Sequence, residues 1–314
     1  MARIAYASHG AAASVYERAV DWRVLDDPDN PQNHNAGNGG DLVKHTVYLT
    51  LLETLLGREP WRTRTSVHEC HAGRGIYRSK HGALIARLLE TDLALSQAER
   101  DILHELRAEE GFYAGSALLV AHSLGRGAHA YQGLEWDPAT RRILHASLSS
   151  LAVRPREIEA PHAQEAMHFD GESHVAAELP KYGRNHVVLL DPFALWHHEK
   201  HAFRRERFRC IVDAWCARPE PPLALFWTWG RALDRARADL EGRTLIENGY
   251  ASLAARLHTR SRIVVRWTWE LSYAMWLLVP EALVRDLCDA LALACEQLFV
   301  ALAPAGAELD VACR

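Results

Sequence analysis

The sequence predicts an α/β fold built on a mostly parallel sheet. Three observations predict it. Apolar runs of strand length alternate with stretches of helical periodicity. The clearest run, His186-Val187-Val188-Leu189-Leu190, is continuously apolar after its first residue and ends in an acid, Asp191. Near the C-terminus, 262–270 and 272–279 read as two strands close together, an antiparallel hairpin at the sheet edge. Composition agrees: of 314 residues, 48% are hydrophobic and 24% charged, which excludes a disordered or collagen-like chain.

Taken in order, residues 1–32 read as an N-terminal extension that ends in the turn-rich Asp26-Asp27-Pro28-Asp29-Asn30-Pro31. Residues 33–314 form one domain. A helix runs from Leu42 to Leu56, with Asp41 placed to accept from its first free amides. A short strand over 62–71 is followed by a tight turn, Ala72-Gly73-Arg74-Gly75. A small helical insertion is expected over about 76–124, broken at Gly111 and at Ala114-Gly115-Ser116. Strands follow at 128–135 and 157–160, a helix opens at Asp137-Pro138, and the 186–191 strand comes next. Then come a helix (203–217), a strand (223–229), a helix (233–241), the hairpin, and a last helix (281–298).

Charge and cysteines bound the function. Lys plus Arg number 36 and Asp plus Glu 40, a net charge of −4, which weighs against a surface coated in basic charge for nucleic acid. The run Arg204-Arg205-Glu206-Arg207-Phe208-Arg209 is basic, but on a helix it reads first as a solvated face. The six cysteines contain no CxxC pair and read as buried, reduced thiols of a cytosolic protein. The first twenty residues lack an apolar stretch behind a positive start, and no apolar run approaches the roughly 18 residues that cross a membrane. A cytoplasmic protein with no membrane partner is expected. No metal is required: His197, His198 and His201 read as a solvated cluster.

Four motifs occur in order. They are His34-Asn35-Ala36-Gly37-Asn38-Gly39-Gly40-Asp41-Leu42-Val43-Lys44-His45; Glu69-Cys70-His71-Ala72-Gly73-Arg74-Gly75; Tyr113-Ala114-Gly115-Ser116 with Gly133-Leu134-Glu135; and Leu189-Leu190-Asp191-Pro192-Phe193. Together they resemble the bacterial ribosomal RNA methyltransferases that modify the exocyclic amine of one adenine in the large-subunit RNA. The resemblance runs from about residue 33 to the C-terminus. It implies a class I methyltransferase (Rossmann-like) sheet with a terminal hairpin and a site for S-adenosylmethionine (SAM). It places Lys44, His45, His71, Gly73, Ser116, Glu135, Asp191 and Phe193 around SAM. Gly73 and Gly75 fit a turn that a ligand approaches closely, and Glu135 fits an acid that accepts from ribose hydroxyls. Residue by residue, plainer roles stay open. Lys44 and His45 also suit a solvated helix face, Glu135 a cap for the helix at Asp137, Ser116 an N-cap and His71 a core histidine.

The sequence departs from that family in three ways. Adenine methyltransferases carry Asp-Pro-Pro-Tyr or a close relative, whose aromatic stacks on the flipped base; here it is Asp191-Pro192-Phe193-Ala194. An adenine-recognising Asp-Gly is replaced near His162-Ala163, leaving Gln164 or Glu165 as candidates. Basicity is low. Aromatics are gained at Trp196, Trp227, Trp229, Trp267, Trp269, Tyr273 and Trp276, as sheet packing or as a wall around a cation such as SAM's sulfonium. This combination suggests an enzyme for which SAM is the sole substrate. In the azetidine-2-carboxylate synthases, the α-amine of SAM attacks its own γ-carbon and expels methylthioadenosine. Asp191 would accept the ammonium proton, with Tyr182 or His71 as helpers. Methylation of ribosomal RNA, or of a small molecule, is the alternative.

Overall fold

A computed structural model describes residues 36–91, 102, 112–125, 129–135, 137–150, 171–191, 210–215, 217–218, 222–228, 262–269 and 271–313. Outside these lie the 1–32 extension, the expected strand at 157–160 and helix at 233–241, the 204–209 basic run, His162, Phe193, Trp196, His197, His198, His201 and Trp229.

The first helix, α1 (Gly39–Leu56), is apolar nearly all round, and Leu42, Val43, Val47, Leu51, Leu52 and Leu55 are fully buried. A helix with that pattern must be covered on several sides. Helices α3 (Ser116–Leu124) and α6 (Glu281–Leu302) both pack on it. Its cap is Asn38, whose side chain accepts from the Asp41 amide. Asp41 instead accepts from the Gly37 amide, one turn back. Gly37 needs its glycine, since φ is +79°.

Among the described residues, seven strands form one sheet in the order β4-β1-β5-β6-β8-β7-β9. β4 (Ala130–Gly133), β1 (Ser66–Glu69), β5 (His186–Leu190) and β6 (Leu223–Thr228) are parallel. β8 (Ser272–Leu278) runs antiparallel between β6 and β7 (Ile263–Thr268), so the expected hairpin forms and lies within the sheet. The true edge is β9 (Glu308–Cys313), antiparallel to β7 and absent from the sequence expectation. From β1 the chain goes to β4 on one side and later to β5 on the other. That reversal is where open α/β sheets hold ligands, beyond the carboxyl ends of the strands.

The expected helical insertion is only partly helical. It holds α2 (Gly82–Glu90), but a two-stranded antiparallel ribbon, β2 (Ile76–Arg78) with β3 (Phe112–Ala114), lies on either side of it in the sequence. Helix α4 (Pro138–Ser150) follows β4, and α5 (Gly171–Glu178), with a 3-10 turn at Leu179–Lys181, precedes β5. Residues 210–215 are helical, inside the stretch expected to be a helix.

Strand alternation splits the core between the two sheet faces. Val67, Val187, Leu189, Val265, Trp267, Tyr273 and Met275 join α1, α3 and α6 on one face. Val188, Leu190, Trp276 and Tyr182 join the α5 side. Cys288 of α6 and Cys313 of β9 are joined by a disulfide with Cα atoms 6.3 Å apart, a correction to six reduced thiols. Cys70 and Cys295 are buried free thiols and Cys210 is exposed.

Candidate functional site

The C-terminal ends of β1, β4 and β5 bring three distant motifs together. Lys44, on the second turn of α1, lies 2.7 Å from Asp41 Oδ1 and donates to Asp191 Oδ2 at 2.8 Å. Lys44 is buried, while about a fifth of each carboxylate side chain stays exposed. Burial alone would lower the Lys44 pKa. Asp191 and Asp41 outweigh it and hold the ammonium well above its ordinary range. Burial would likewise raise Asp41, but Lys44 brings it below the usual value.

His45 points elsewhere. Its Nδ1 meets the Tyr113 hydroxyl at 2.6 Å. Burial, then the neighbouring Lys44, pushes its pKa down to about 3, so the ring is neutral. Ser116 does not act as a cap: its hydroxyl donates to Glu69 Oε1. Tyr131 donates to the other oxygen at 2.6 Å. Burial raises the Glu69 pKa, although both donors oppose the shift.

Glu135 accepts from the Gly73 amide and the Asp137 amide, each at 3.1 Å. It therefore ties the turn after β1 to the end of β4. Gly73 has φ +64°, and a methyl there would run into the Tyr77 hydroxyl, which itself accepts from the Arg74 amide. Tyr77 thus fills the place a side chain would take at this glycine. His71 joins β1 to β5: its Nδ1 accepts from the Asp191 amide at 3.2 Å and its Nε2 meets Glu172 Oε1 at 2.9 Å.

Tyr182 does not join this group. Its hydroxyl meets His68 Nδ1 at 3.2 Å, and its ring stacks on both His68 and His186, which are joined Nε2 to Nδ1 at 2.9 Å, on the α5 face. The described aromatics are sheet packing. Trp267 stacks on Tyr273, and Trp269 and Tyr273 press against Gly39 and Gly40 at the start of α1. Trp276 is buried on the opposite face. Sequence reasoning missed Glu69, Tyr113, Glu172 and the paired role of Asp41. Glu69 and Tyr113 stood inside quoted motifs, whereas Glu172 carried no motif signal.

This architecture has a solved counterpart. A DUF519 protein from Legionella pneumophila, known from a crystal structure, shares the fold with a TM-score of 0.60. The match spans 88% of this chain and 98% of the other at 17% identity, which establishes likeness of fold. No family model and no curated protein matches the chain. Among the described residues, no helix is long and apolar enough to cross a membrane, and no group of three or more His, Cys, Asp or Glu is arranged to hold a metal.

Proposed function

We propose that the chain is a SAM-utilising enzyme of the class I methyltransferase fold, acting on SAM alone. The carrying observation is the convergence of Lys44, His71, Glu135 and Asp191 at the reversal point of the sheet. They come from four separate motifs, yet hydrogen bonds and an ion pair link them to neighbouring strand ends. The donor set suits SAM: an ammonium cation for its carboxylate, carboxylates for its α-ammonium, and an acid, Glu135, for ribose hydroxyls. Tyr113 and Ser116 engage His45 and Glu69, so those pairs shape the wall and leave ligand contact to their neighbours.

Charge favours a small cation over a polyanion. Asp41 and Asp191 hold Lys44, and three more acids, Glu69, Glu135 and Glu172, bond to Ser116, the Gly73 amide and His71 of the same motifs and strand ends. A phosphate backbone approaching them would be repelled, whereas the sulfonium and ammonium of SAM would be attracted. In the cyclisation, the α-ammonium gives up one proton, to Asp191 and onward to solvent. Its nitrogen lone pair then forms a bond to the γ-carbon. The Cγ–S bond breaks and its electrons go to sulfur, leaving methylthioadenosine and azetidine-2-carboxylic acid. Folding the aminobutyl arm so that nitrogen faces Cγ is the main demand on the site. With Tyr182 engaged by His68, Asp191 carries this role with Lys44 and His71 as its supports.

Adenine methylation of ribosomal RNA is the second reading, favoured by the Asp191-Pro192 pair at the end of β5. The sulfur product separates the two. Incubation with SAM alone, followed by mass spectrometry, should give methylthioadenosine and a four-membered cyclic amino acid. Intact SAM, with S-adenosylhomocysteine released only when unmodified ribosomal RNA is added, would replace the first reading by the second.

A further inference from the structure

We infer that Glu172 is a positioning residue that fixes the proton of His71 on Nε2 and thereby holds Asp191 in place. The inference rests on the reading of Asp191 as the working carboxylate of the site.

The proton placement follows from the partners. The Asp191 backbone N–H is a donor, so Nδ1 of His71 must present a lone pair to it. In the neutral ring the proton is then on Nε2, where it donates to Glu172 Oε1. An imidazolium would set a second N–H against the Asp191 amide. His71 is therefore an orienting group in this arrangement, not a proton shuttle.

The local chain is built for this contact. Glu172 is 1% exposed, and a carboxylate so deeply buried requires donors. It lies in the first turn of α5, where the helix dipole favours an anion. Gly171 sits directly on the Cys70 carbonyl, with no room for a side chain. That contact brings the start of α5 against the chain leaving β1, one residue before His71. Glu172, His71 and the Asp191 amide thus form a line from α5 across the end of β1 to the end of β5. Lys44 grips the Asp191 carboxylate from the opposite helix, α1.

Glu172→Leu keeps the volume but leaves Nε2 without its acceptor, so only the Asp191 amide still selects the tautomer; Glu172→Gln can still offer its carbonyl oxygen to Nε2–H. Nitrogen-15 NMR of the imidazole reads the tautomer directly and needs no turnover. The wild-type protein at pH 7.5 should show the Nε2–H tautomer of His71. Glu172→Leu should show a mixture of tautomers and lower kcat for SAM consumption about 10–100-fold, with KM for SAM changed less than about threefold, whereas Glu172→Gln should keep the Nε2–H form and most of the activity. If the tautomers behave so while none of the three proteins consumes SAM, the positioning role stands and the SAM reading falls. An Nδ1–H or doubly protonated His71 in the wild type overturns the inference, whether or not the variants fold. A Glu172→Leu protein that keeps a single Nε2–H tautomer and wild-type kcat overturns it too.

Discussion

Lys44 serves two carboxylates at once, so its charge matters more to the folded chain than its place on a helix suggests. Lys44→Met would leave Asp41 and Asp191 facing each other in a half-dry corner. Breaking a buried pair costs about 3–5 kcal/mol; with a fifth of each carboxylate in water, about 2 kcal/mol is expected, measured by urea unfolding. Adding Asp41→Asn should recover part of that loss, and strictly additive losses would show the triad to be uncoupled. Asp191→Ala should lower SAM consumption at least about 100-fold while the protein remains folded by circular dichroism. Retained turnover would remove Asp191 from the chemistry. Histidines set the acid limit. His45 is held down to about 3 and His68 to about 4, both chiefly by burial. Both folded values lie below the ordinary histidine value of about 6.5, so unfolding takes up a proton at each ring. Their stabilisation is complete above about pH 6.5 and is lost as pH falls toward 4 and then 3, by about 1.4 kcal/mol per pH unit for each ring. His68→Gln should reduce the slope of unfolding free energy between pH 6 and 5 by roughly one proton. An unchanged slope would mean that His68 is not held neutral.

At the scale of elements, the start of α1 is fixed by contact more than by propensity. A methyl on Gly39 would overlap the Trp269 indole, and one on Gly40 the Tyr273 ring. Alanine favours a helix by about 1 kcal/mol over glycine, but overpacking costs about 1–3 kcal/mol. Gly39→Ala and Gly40→Ala should therefore lower Tm, whereas Gly57→Ala, whose added methyl meets only ordinary contacts, should not. If all three behave alike, the hairpin does not press on α1. These glycines also show what the sequence could tell. The Gly37–Asp41 stretch was visible as a motif, but its purpose, docking a helix on two aromatics 230 residues away, lies in tertiary contact. Strand β5 was legible as a continuous apolar run, whereas β1, with Val67 as its one apolar residue, was legible from the glycine turn that follows it. Strand β9 was not: Glu308-Leu309-Asp310-Val311 alternates polar and apolar, but over so short a run that its pairing with β7 is what makes it a strand. Glu172 stayed hidden for the same reason. A single acid becomes informative only when α5 delivers it to His71.

Across the whole molecule, the site depends on pieces from both ends of the chain. Helix α6 packs along α1, Arg58 pairs with Asp286, and β9 closes the sheet beside β7. Removing residues 308–314 would expose the β7 edge and uncover Leu309 and Val311's share of the core. That truncated chain should melt at least about 5 °C lower, with loss of the sharp transition if α6 is released as well; an unchanged Tm would make β9 an ornament of the edge. The placement of α6 also has a consequence for biosynthesis. Of the described elements a ribosome makes α1 first and α3 soon after, yet two further surfaces that bury α1, α6 and the hairpin, come much later in the chain. During translation the side of α1 that α3 does not cover stays open to chaperones until the hairpin and α6 emerge and non-local closure can begin.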